Sequence, residues 1–235
     1  AIGSSRERAR FAHGVEGLTR PCGRRMLKMP GLLEEGSAGA RSVPCPASTT
    51  TTMNNDLNGK KVAILATDGF ELSELQSPKA ALKEAGATVE IISLKSGTIE
   101  GWSGGDWKGE ETVDRTVEDA NAEDYDALVL PGGVMNPDKL RTDKSAVAFV
   151  KAFVDAKKPV AAICHGPWLL AEADVLKGRK ITSYPSIRTD MVNAGAEWVD
   201  EEVVVDQGLV TSREPKDLRK LNRKLVEEVA EGVHA

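Results

Sequence analysis

The 235-residue sequence contains no apolar run long enough to cross a lipid bilayer. Its longest apolar stretches, such as Ala127–Leu130 and Val160–Ile163, are far shorter than the ~20 residues that a membrane-spanning helix needs. Apolar residues make up 40% of the chain and charged residues 29%, which is the balance of an ordinary globular protein. We therefore expect no membrane span.

An excess of basic residues is also missing. The chain has 31 Lys and Arg against 36 Asp and Glu, a net charge of -5, and its pI is near 5.4. A nucleic-acid-binding surface is normally basic, so we expect no nucleic-acid partner.

Cysteine and histidine are scarce, with three residues of each type. Cys22, Cys45 and Cys164 are too few and too irregularly spaced for a disulfide scaffold or a paired zinc motif. After the leader and before His234, Cys164 and His165 are the only cysteine and histidine, so they would bring at most two ligands to a zinc ion, and we expect no metal and no cofactor. The cysteine content favours a reducing, cytoplasmic setting.

Residues 1–52 differ from the rest of the chain. They hold eight basic and four acidic residues, with scattered Gly, Pro and Ser and no helix or strand periodicity. We interpret them as a disordered or non-native leader, with an organelle-targeting segment as the less favoured alternative. Met53, a few polar residues before the first apolar run, would then open a single domain over residues 53–235.

The body of the chain alternates short apolar runs with helical patterns. Residues 61–66 predict a buried strand, residues 71–85 a helix broken or kinked at Pro78, and residues 88–94 a second strand, which together form a parallel β-α-β unit. Residues 97–109 predict a hairpin or surface loop. Further strands are predicted at 125–130, 160–163, 180–183, 203–206 and 209–212, and further helices at 145–156, at 168–173 and from Pro215. The fold predicted is a three-layer α/β domain.

In such a sheet, ligands bind beyond the carboxyl ends of the strands. Glu71, the Gly132-Gly133 pair and the Cys164-His165 pair each follow a predicted strand, so we expect them to converge. Cys164 lies in a tight turn between a strand and a helix, where backbone N–H groups and the helix dipole favour a thiolate. His165 could orient or deprotonate it, and the two glycines could expose N–H groups to an oxyanion.

Each of these residues also has a purely structural interpretation. Cys164 could be a small buried apolar residue, and His165 a surface residue beside a turn. Glu71 could be an ordinary acid at a helix start, and Gly132-Gly133 a simple turn. The residues alone leave these alternatives open.

Several sequence blocks together resemble the PfpI family of intracellular proteases within the DJ-1/PfpI superfamily. The blocks are Ala-Thr-Asp-Gly-Phe-Glu at 66–71, Ala-Leu-Val-Leu-Pro-Gly-Gly at 127–133, Ala-Ile-Cys-His-Gly-Pro at 162–167 and Thr-Ser-Tyr-Pro at 182–185, with further similarity at 193–200 and 210–213. The resemblance covers about residues 60–232 in the family's order.

The resemblance implies a flavodoxin-like sandwich with a mostly parallel central sheet. It implies Cys164 as nucleophile, His165 beside it, Glu71 hydrogen-bonded to the sulfur, and Gly133, with Gly132, at the oxyanion. It further implies a homo-oligomer, a dimer or hexamer, in which an acid of a neighbouring subunit completes the triad. Asp138 falls at the place of that acid, after a loop with one extra residue; alternatively it is an acid at a helix N-terminus.

The function implied is a stress-protective cysteine hydrolase, acting as a peptidase or as a deglycase or glyoxalase-like enzyme on carbonyl adducts of proteins or small molecules. The Cys-His-Gly-Pro turn is shared with class I glutamine amidotransferases, but their downstream His-x-Glu pair is missing, since only His234 follows His165. The alternative is a non-catalytic redox sensor or stress chaperone in which Cys164 is oxidised.

Overall fold

The computed structural model describes residues 56–233. The predicted leader at 1–52 lies outside the described residues, as do Cys22, Cys45 and His234. Within residues 56–233, no helix combines the length and the hydropathy needed to cross a bilayer.

Strands and helices alternate through most of the described chain. The strands are β1 (Lys61–Leu65), β2 (Phe70–Glu71), β3 (Thr88–Ser93), β4 (Thr98–Ser103), β5 (Asp106–Thr112), β6 (Arg115–Thr116), β7 (Ala127–Leu130), β8 (Val160–Ile163), β9 (Lys180–Ile181), β10 (Glu197–Trp198), β11 (Val203–Asp206) and β12 (Leu209–Ser212). The helices are α1 (Leu72–Glu84), α2 (Met135–Leu140), α3 (Lys144–Asp155), α4 (Pro167–Glu172), α5 (Arg188–Asn193) and α6 (Leu218–Glu231), with 3-10 turns at Ala122–Asp124, Pro185–Ile187 and Pro215–Asp217.

A seven-stranded sheet with the order β11-β12-β8-β7-β1-β3-β6 forms the centre of the domain. All neighbouring pairs are parallel except β11 and β12, which form an antiparallel hairpin. Helices cover both faces, so the predicted flavodoxin-like three-layer fold is confirmed. Because β1, β7 and β8 are adjacent and parallel, the loops after them meet at one edge of the sheet.

The core is divided into two parts by the alternation of side chains along the buried strands. In β1, Val62 and Ile64 pack in the cluster that includes Leu82 of α1 and Leu225 of α6. Their neighbours Ala63 and Leu65 pack in the opposite cluster with side chains of α3 and α4. The continuous apolar runs of the sequence therefore correspond to strands buried on both faces.

The predicted elements differ from the structure mainly at their ends. α1 begins at Leu72 rather than at Glu71, and Pro78 lies inside it without ending it. Glu71 belongs instead to β2, which pairs with β4 in a separate three-stranded sheet containing the β4–β5 hairpin. The C-terminal helix starts at Leu218, after a 3-10 turn that begins at Pro215.

The aromatic packing under α3 gives a test of the core. Phe153 is fully buried and meets Phe149 edge to face, with ring centroids 5.1 Å apart. We expect Phe153→Ala to lower the free energy of unfolding by about 3–5 kcal/mol, because it leaves a cavity that rigid strands cannot close. Lys151→Ala, on the exposed face of the same helix, should cost less than about 0.5 kcal/mol. Denaturant titration followed by circular dichroism measures both, and equal losses would contradict the packing described.

Candidate active site

Cys164 lies in a sharp turn between β8 and α4. Its backbone has a φ of 61°, a conformation that non-glycine residues rarely adopt. Two hydrogen bonds hold it there: the Cys164 N–H donates to the Ser212 carbonyl at 3.0 Å, and the Tyr184 N–H donates to the Cys164 carbonyl at 2.9 Å. A strained, doubly anchored cysteine at the carboxyl edge of a parallel sheet is typical of a nucleophile elbow.

Two glycines allow the backbone to close around this cysteine. A Cβ added to Gly166 would lie 2.5 Å from the Leu130 carbonyl oxygen. A Cβ added to Gly132 would lie 2.6 Å from Glu74 Oε2 and 2.7 Å from Cys164 Cβ. Neither distance is possible for real atoms, so the contact between the β7 and β8 loops depends on glycine at both positions.

The sulfur of Cys164 has a defined set of polar neighbours. Its Sγ lies 3.1 Å from His165 Nδ1, and the backbone N–H groups of Gly133 and His165 face it. Cys164 is only 8% exposed and His165 7%. The predicted pairing of Cys164 with His165 and the predicted approach of Gly133 are thus present in the geometry. The His165 N–H is a second donor that the sequence interpretation missed.

The carboxyl group beside the sulfur belongs to Glu74, and the prediction that Glu71 fills this position is corrected. Glu74 is 0% exposed and its carboxyl interacts with the Cys164 thiol. Glu71 is half-buried, and its Oε1 accepts a hydrogen bond from Ser73 Oγ at 3.2 Å.

The register of α1 explains the difference. Glu71 is in β2, before the helix begins, whereas Glu74 shares the buried helix face with Leu75, Pro78 and Leu82. The sequence signal for Glu74 is a carboxylate on an otherwise apolar helical stripe. Pro78, four residues on, has no N–H to bond the Glu74 carbonyl, so this turn of α1 lacks one helical hydrogen bond.

Gly132 binds the carboxyl group of Glu74. The prediction that its N–H faces an oxyanion is therefore corrected. Its N–H donates to Glu74 Oε2 at 2.9 Å and is therefore not free for a ligand. The turn is held by Asn136, which is fully buried and donates to the carbonyls of Pro131 at 2.8 Å and Gly132 at 3.2 Å. Asn136 Oδ1 also accepts from the Thr67 N–H, joining the loops after β1 and β7. Sequence reasoning gave no signal for Asn136.

Burial controls the ionisation of the Glu74–Cys164 pair. The pKa of Glu74 is raised from 4.5 to about 8, mainly by burial; the Gly132 N–H opposes this shift and the nearby Glu71 carboxylate adds to it. Burial also raises the pKa of the Cys164 thiol, as does a charge on Glu74, whereas the N–H groups of Gly133 and His165 lower it. The two groups therefore compete for one negative charge.

This competition corrects the expectation of a thiol that is acidic at rest. α4 has only six residues, so its dipole is weak and does not offset the burial of the sulfur. A thiolate is favoured only while Glu74 keeps its proton and can direct it towards the sulfur. At neutral pH the pair is then a protonated acid beside a thiol.

The ring of His165 is held on several sides. It stacks on Tyr184 with centroids 5.1 Å apart and meets Trp168 edge on at 5.0 Å. Its Nε2 lies 3.2 Å from Ser186 Oγ. Burial lowers the pKa of His165, so the ring is neutral at pH 7 and can accept a proton from the thiol. Ser186 and Trp168 were not singled out from the sequence.

Asp138 lies apart from this cluster. It is exposed on α2, beside a groove that Arg141, Lys144, Val147 and Glu172 also line. Among residues 56–233 no hydrogen bond joins it to His165. The prediction that Asp138 of one subunit serves His165 of another is not tested by a single chain.

No group of three or more His, Cys, Asp or Glu side chains in the described part of the chain is arranged to hold a metal ion. The site consists of an elbow cysteine, a neutral histidine, a buried acid and two N–H groups that face the sulfur.

Comparison with known proteins identifies the family. The family model described as DJ-1/PfpI family matches residues 60–228, which include every residue of this site. The chain belongs to the DJ-1/PfpI family. The predicted relationship is confirmed.

Individual DJ-1/PfpI relatives are similar over the whole domain. "General stress protein 18" of Bacillus subtilis (strain 168) is 52% identical over 168 residues, which are 71% of this chain and 95% of that protein. "Protein/nucleic acid deglycase 2" of Escherichia coli (strain K12) is 47% identical over 167 residues, 70% of this chain and 95% of that protein.

A solved structure gives the same fold. It is a two-domain protein from Anabaena variabilis with DJ-1/ThiJ/PfpI-like and ferritin-like domains, which is 40% identical with a TM-score of 0.70. The match covers 73% of this chain and 48% of that one, so the chain spans about half the length of the two-domain protein.

The raised pKa of Glu74 predicts a pH-dependent cost to folding. A carboxyl whose pKa is higher in the folded than in the unfolded state stabilises the fold fully below its unfolded value, and this contribution is lost as pH rises through the folded value. For Glu74 this loss of stability falls between pH 4.5, the ordinary pKa of a glutamate side chain, and about pH 8, the pKa of Glu74 in the folded protein. We expect Glu74→Gln, which cannot ionise, to become more stable than the wild type by on the order of a few kcal/mol at pH 8, but not at pH 4. Denaturant titrations at both pH values measure this.

Glu84→Gln is the matched control, because Glu84 is an exposed acid in the last turn of the same helix. It should leave the pH profile of stability unchanged. A Glu74→Gln profile parallel to that of the wild type would show that Glu74 is ionised in the folded protein.

Proposed function

We propose that the protein is a cysteine-dependent hydrolase that removes small reactive-carbonyl adducts from proteins or metabolites. The single observation that supports this is the contact of Cys164 Sγ with His165 Nδ1 at 3.1 Å, with the N–H groups of Gly133 and His165 facing the sulfur. A nucleophile, a base and two donors for a developing oxyanion are the groups that acyl or carbonyl transfer needs.

The proposed first step transfers the thiol proton to His165. The Sγ–H bond breaks as a bond forms from Nδ1 to hydrogen, and the protonated Glu74 donates to the thiolate. The sulfur then attacks the electrophilic carbon of the adduct, so that a C–S bond forms as the C–N bond breaks. The imidazolium of His165 returns the proton to the departing amine. Water then adds to the carbon as the C–S bond breaks: its hydroxyl stays on the product, and His165 carries its proton to the leaving sulfur, which restores the thiol.

The low exposure of the two reactive side chains favours adducts over peptide segments. Cys164 and His165 are each less than a tenth exposed, so the sulfur accepts a small group at the end of a flexible side chain more easily than an extended backbone. Peptide hydrolysis by the same groups remains the second activity to assay. The names of the two relatives, a general stress protein and a deglycase, support a protective role, which we place in the cytoplasm.

Turnover of an amine adduct of an α-oxoaldehyde tests this proposal. We expect Cys164→Ser, which changes one atom, to abolish turnover, and His165→Ala to lower kcat by about 10²–10⁴-fold, because the base that takes the thiol proton is lost. Amine release, followed in parallel with hydrolysis of a denatured protein substrate, is the measurement.

Turnover by Cys164→Ser equal to that of the wild type would eliminate the mechanism. A wild-type protein without turnover on either substrate, but with Cys164 converted to sulfinic acid by mild peroxide in mass spectrometry, would favour the redox sensor instead.

We further infer that the protein acts as a homo-oligomer in which Asp138 of a second copy approaches His165. The exposure of Asp138, which leaves its carboxylate accessible to a second copy, supports this. The N–H on His165 Nε2, which lies 3.2 Å from Ser186 Oγ, would then be shared between that hydroxyl and the carboxylate. Asp138→Asn should then lower kcat at every protein concentration, and dilution that separates the subunits should lower wild-type activity. Asp155→Asn, an exposed acid at the end of α3, is the control. Full activity of dilute monomers, checked by analytical ultracentrifugation, would exclude a shared site.

A further inference from the structure

We propose that Ser186 is a positioning residue for His165: its hydroxyl accepts a hydrogen bond from Nε2–H and so keeps Nδ1 free to take the proton of Cys164. The contact at 3.2 Å between Nε2 and Ser186 Oγ is the observation behind it. The consequence for catalysis depends on the proposed function, but the tautomer itself does not.

The segment that carries Ser186 is hydrogen-bonded to the backbone of Cys164. Ser186 is the middle residue of the 3-10 turn Pro185–Ile187, directly after Tyr184. The Tyr184 N–H bonds the Cys164 carbonyl at 2.9 Å, and Ile187 is buried in the core at 2% exposure. Tyr184, just before the turn, and Ile187, its last residue, are both held in place. The Ser186 hydroxyl therefore stays beside the imidazole although the residue is exposed.

The direction of each hydrogen bond follows from a count of protons. A neutral imidazole carries one N–H, and Nδ1 faces a protonated thiol that needs an acceptor. Nδ1 is therefore the bare nitrogen, and Nε2 carries the hydrogen and needs an acceptor of its own. Ser186 Oγ supplies it. The hydrogen bonds then run in one direction, from Cys164 to His165 and from His165 to Ser186.

This direction also matters once the proton has moved. When Nδ1 takes the thiol proton, both ring nitrogens become donors, Nδ1–H to the thiolate and Nε2–H to Ser186. The hydrogen bond to Ser186 then involves a charged donor and becomes stronger. Ser186 therefore stabilises the imidazolium–thiolate pair more than the resting pair, which is what a contribution to rate requires.

The other contacts of the ring cannot do the same. Tyr184 stacks on the face of His165 and Trp168 meets it edge on, and Trp168 is itself held by its indole N–H on Asp190 Oδ2 at 2.8 Å. These contacts fix the plane of the ring but offer no acceptor to Nε2. Between residues 56 and 233, Ser186 is the hydrogen-bond partner of Nε2 within one chain.

The test measures the tautomer of His165 by two-dimensional NMR of the ring nitrogens in the full chain, with the His165 signals assigned by their loss in His165→Asn. We expect Nε2 protonated in the wild type and in Ser186→Thr, which keeps a hydroxyl, and a mixture of tautomers in Ser186→Ala. The rate of Cys164 alkylation by iodoacetamide should fall about two- to tenfold in Ser186→Ala, with its pH profile moved to higher pH. Thr189→Ala, which removes an exposed hydroxyl three residues on, should match the wild type.

Two results would overturn the proposal. One is an unchanged tautomer and alkylation profile in Ser186→Ala. The other is a changed tautomer in Asp138→Asn but not in Ser186→Ala, which would show that a second copy holds Nε2. Neither readout uses a substrate, so a wild-type protein that turns over no carbonyl adduct would refute the proposed function and leave this result standing. If turnover is present, Ser186→Ala should lower kcat and leave KM unchanged.

Discussion

The buried carboxyl of Glu74 decides how the rest of the site works. It lies between the Gly132 N–H and the sulfur of Cys164, where no side chain larger than hydrogen fits at position 132. Because burial keeps Glu74 protonated near neutral pH, it can donate to a thiolate rather than repel it. The elbow places the sulfur, but this acid sets the pH range in which the sulfur can carry charge.

The inner strands of the central sheet were predictable because β1, β7 and β8 are buried on both faces and are therefore almost continuously apolar, whereas the two-residue edge strand β6 was not recognised. The expected limits of β8, β11 and β12 agree with the structure residue for residue. The hairpin predicted within residues 97–109 is present as β4 and β5, but the pairing of β2 with β4 was not recognised, since a two-residue strand carries no periodicity. This pairing takes Glu71 out of the helix and changes which acid reaches the site.

The site could be predicted where a residue's role depends on its immediate neighbours in sequence. Cys164, His165 and Gly133 belong to turns that directly follow apolar strands, so local pattern was sufficient. Choosing between Glu71 and Glu74 required the exact first residue of α1, which sequence patterns locate only within a few residues. Asn136 and Ser186 act through contacts 69 and 21 residues away, and an uncharged polar residue in a loop gives no signal of such a partner.

The small exposed area of Cys164 also has a bearing on thiol exchange in the cell. A bulky disulfide such as oxidised glutathione must approach the sulfur in line with its own S–S bond, and 8% exposure leaves little room for that approach. The low exposure of Cys164 therefore restricts the thiol–disulfide exchange that this cysteine can undergo.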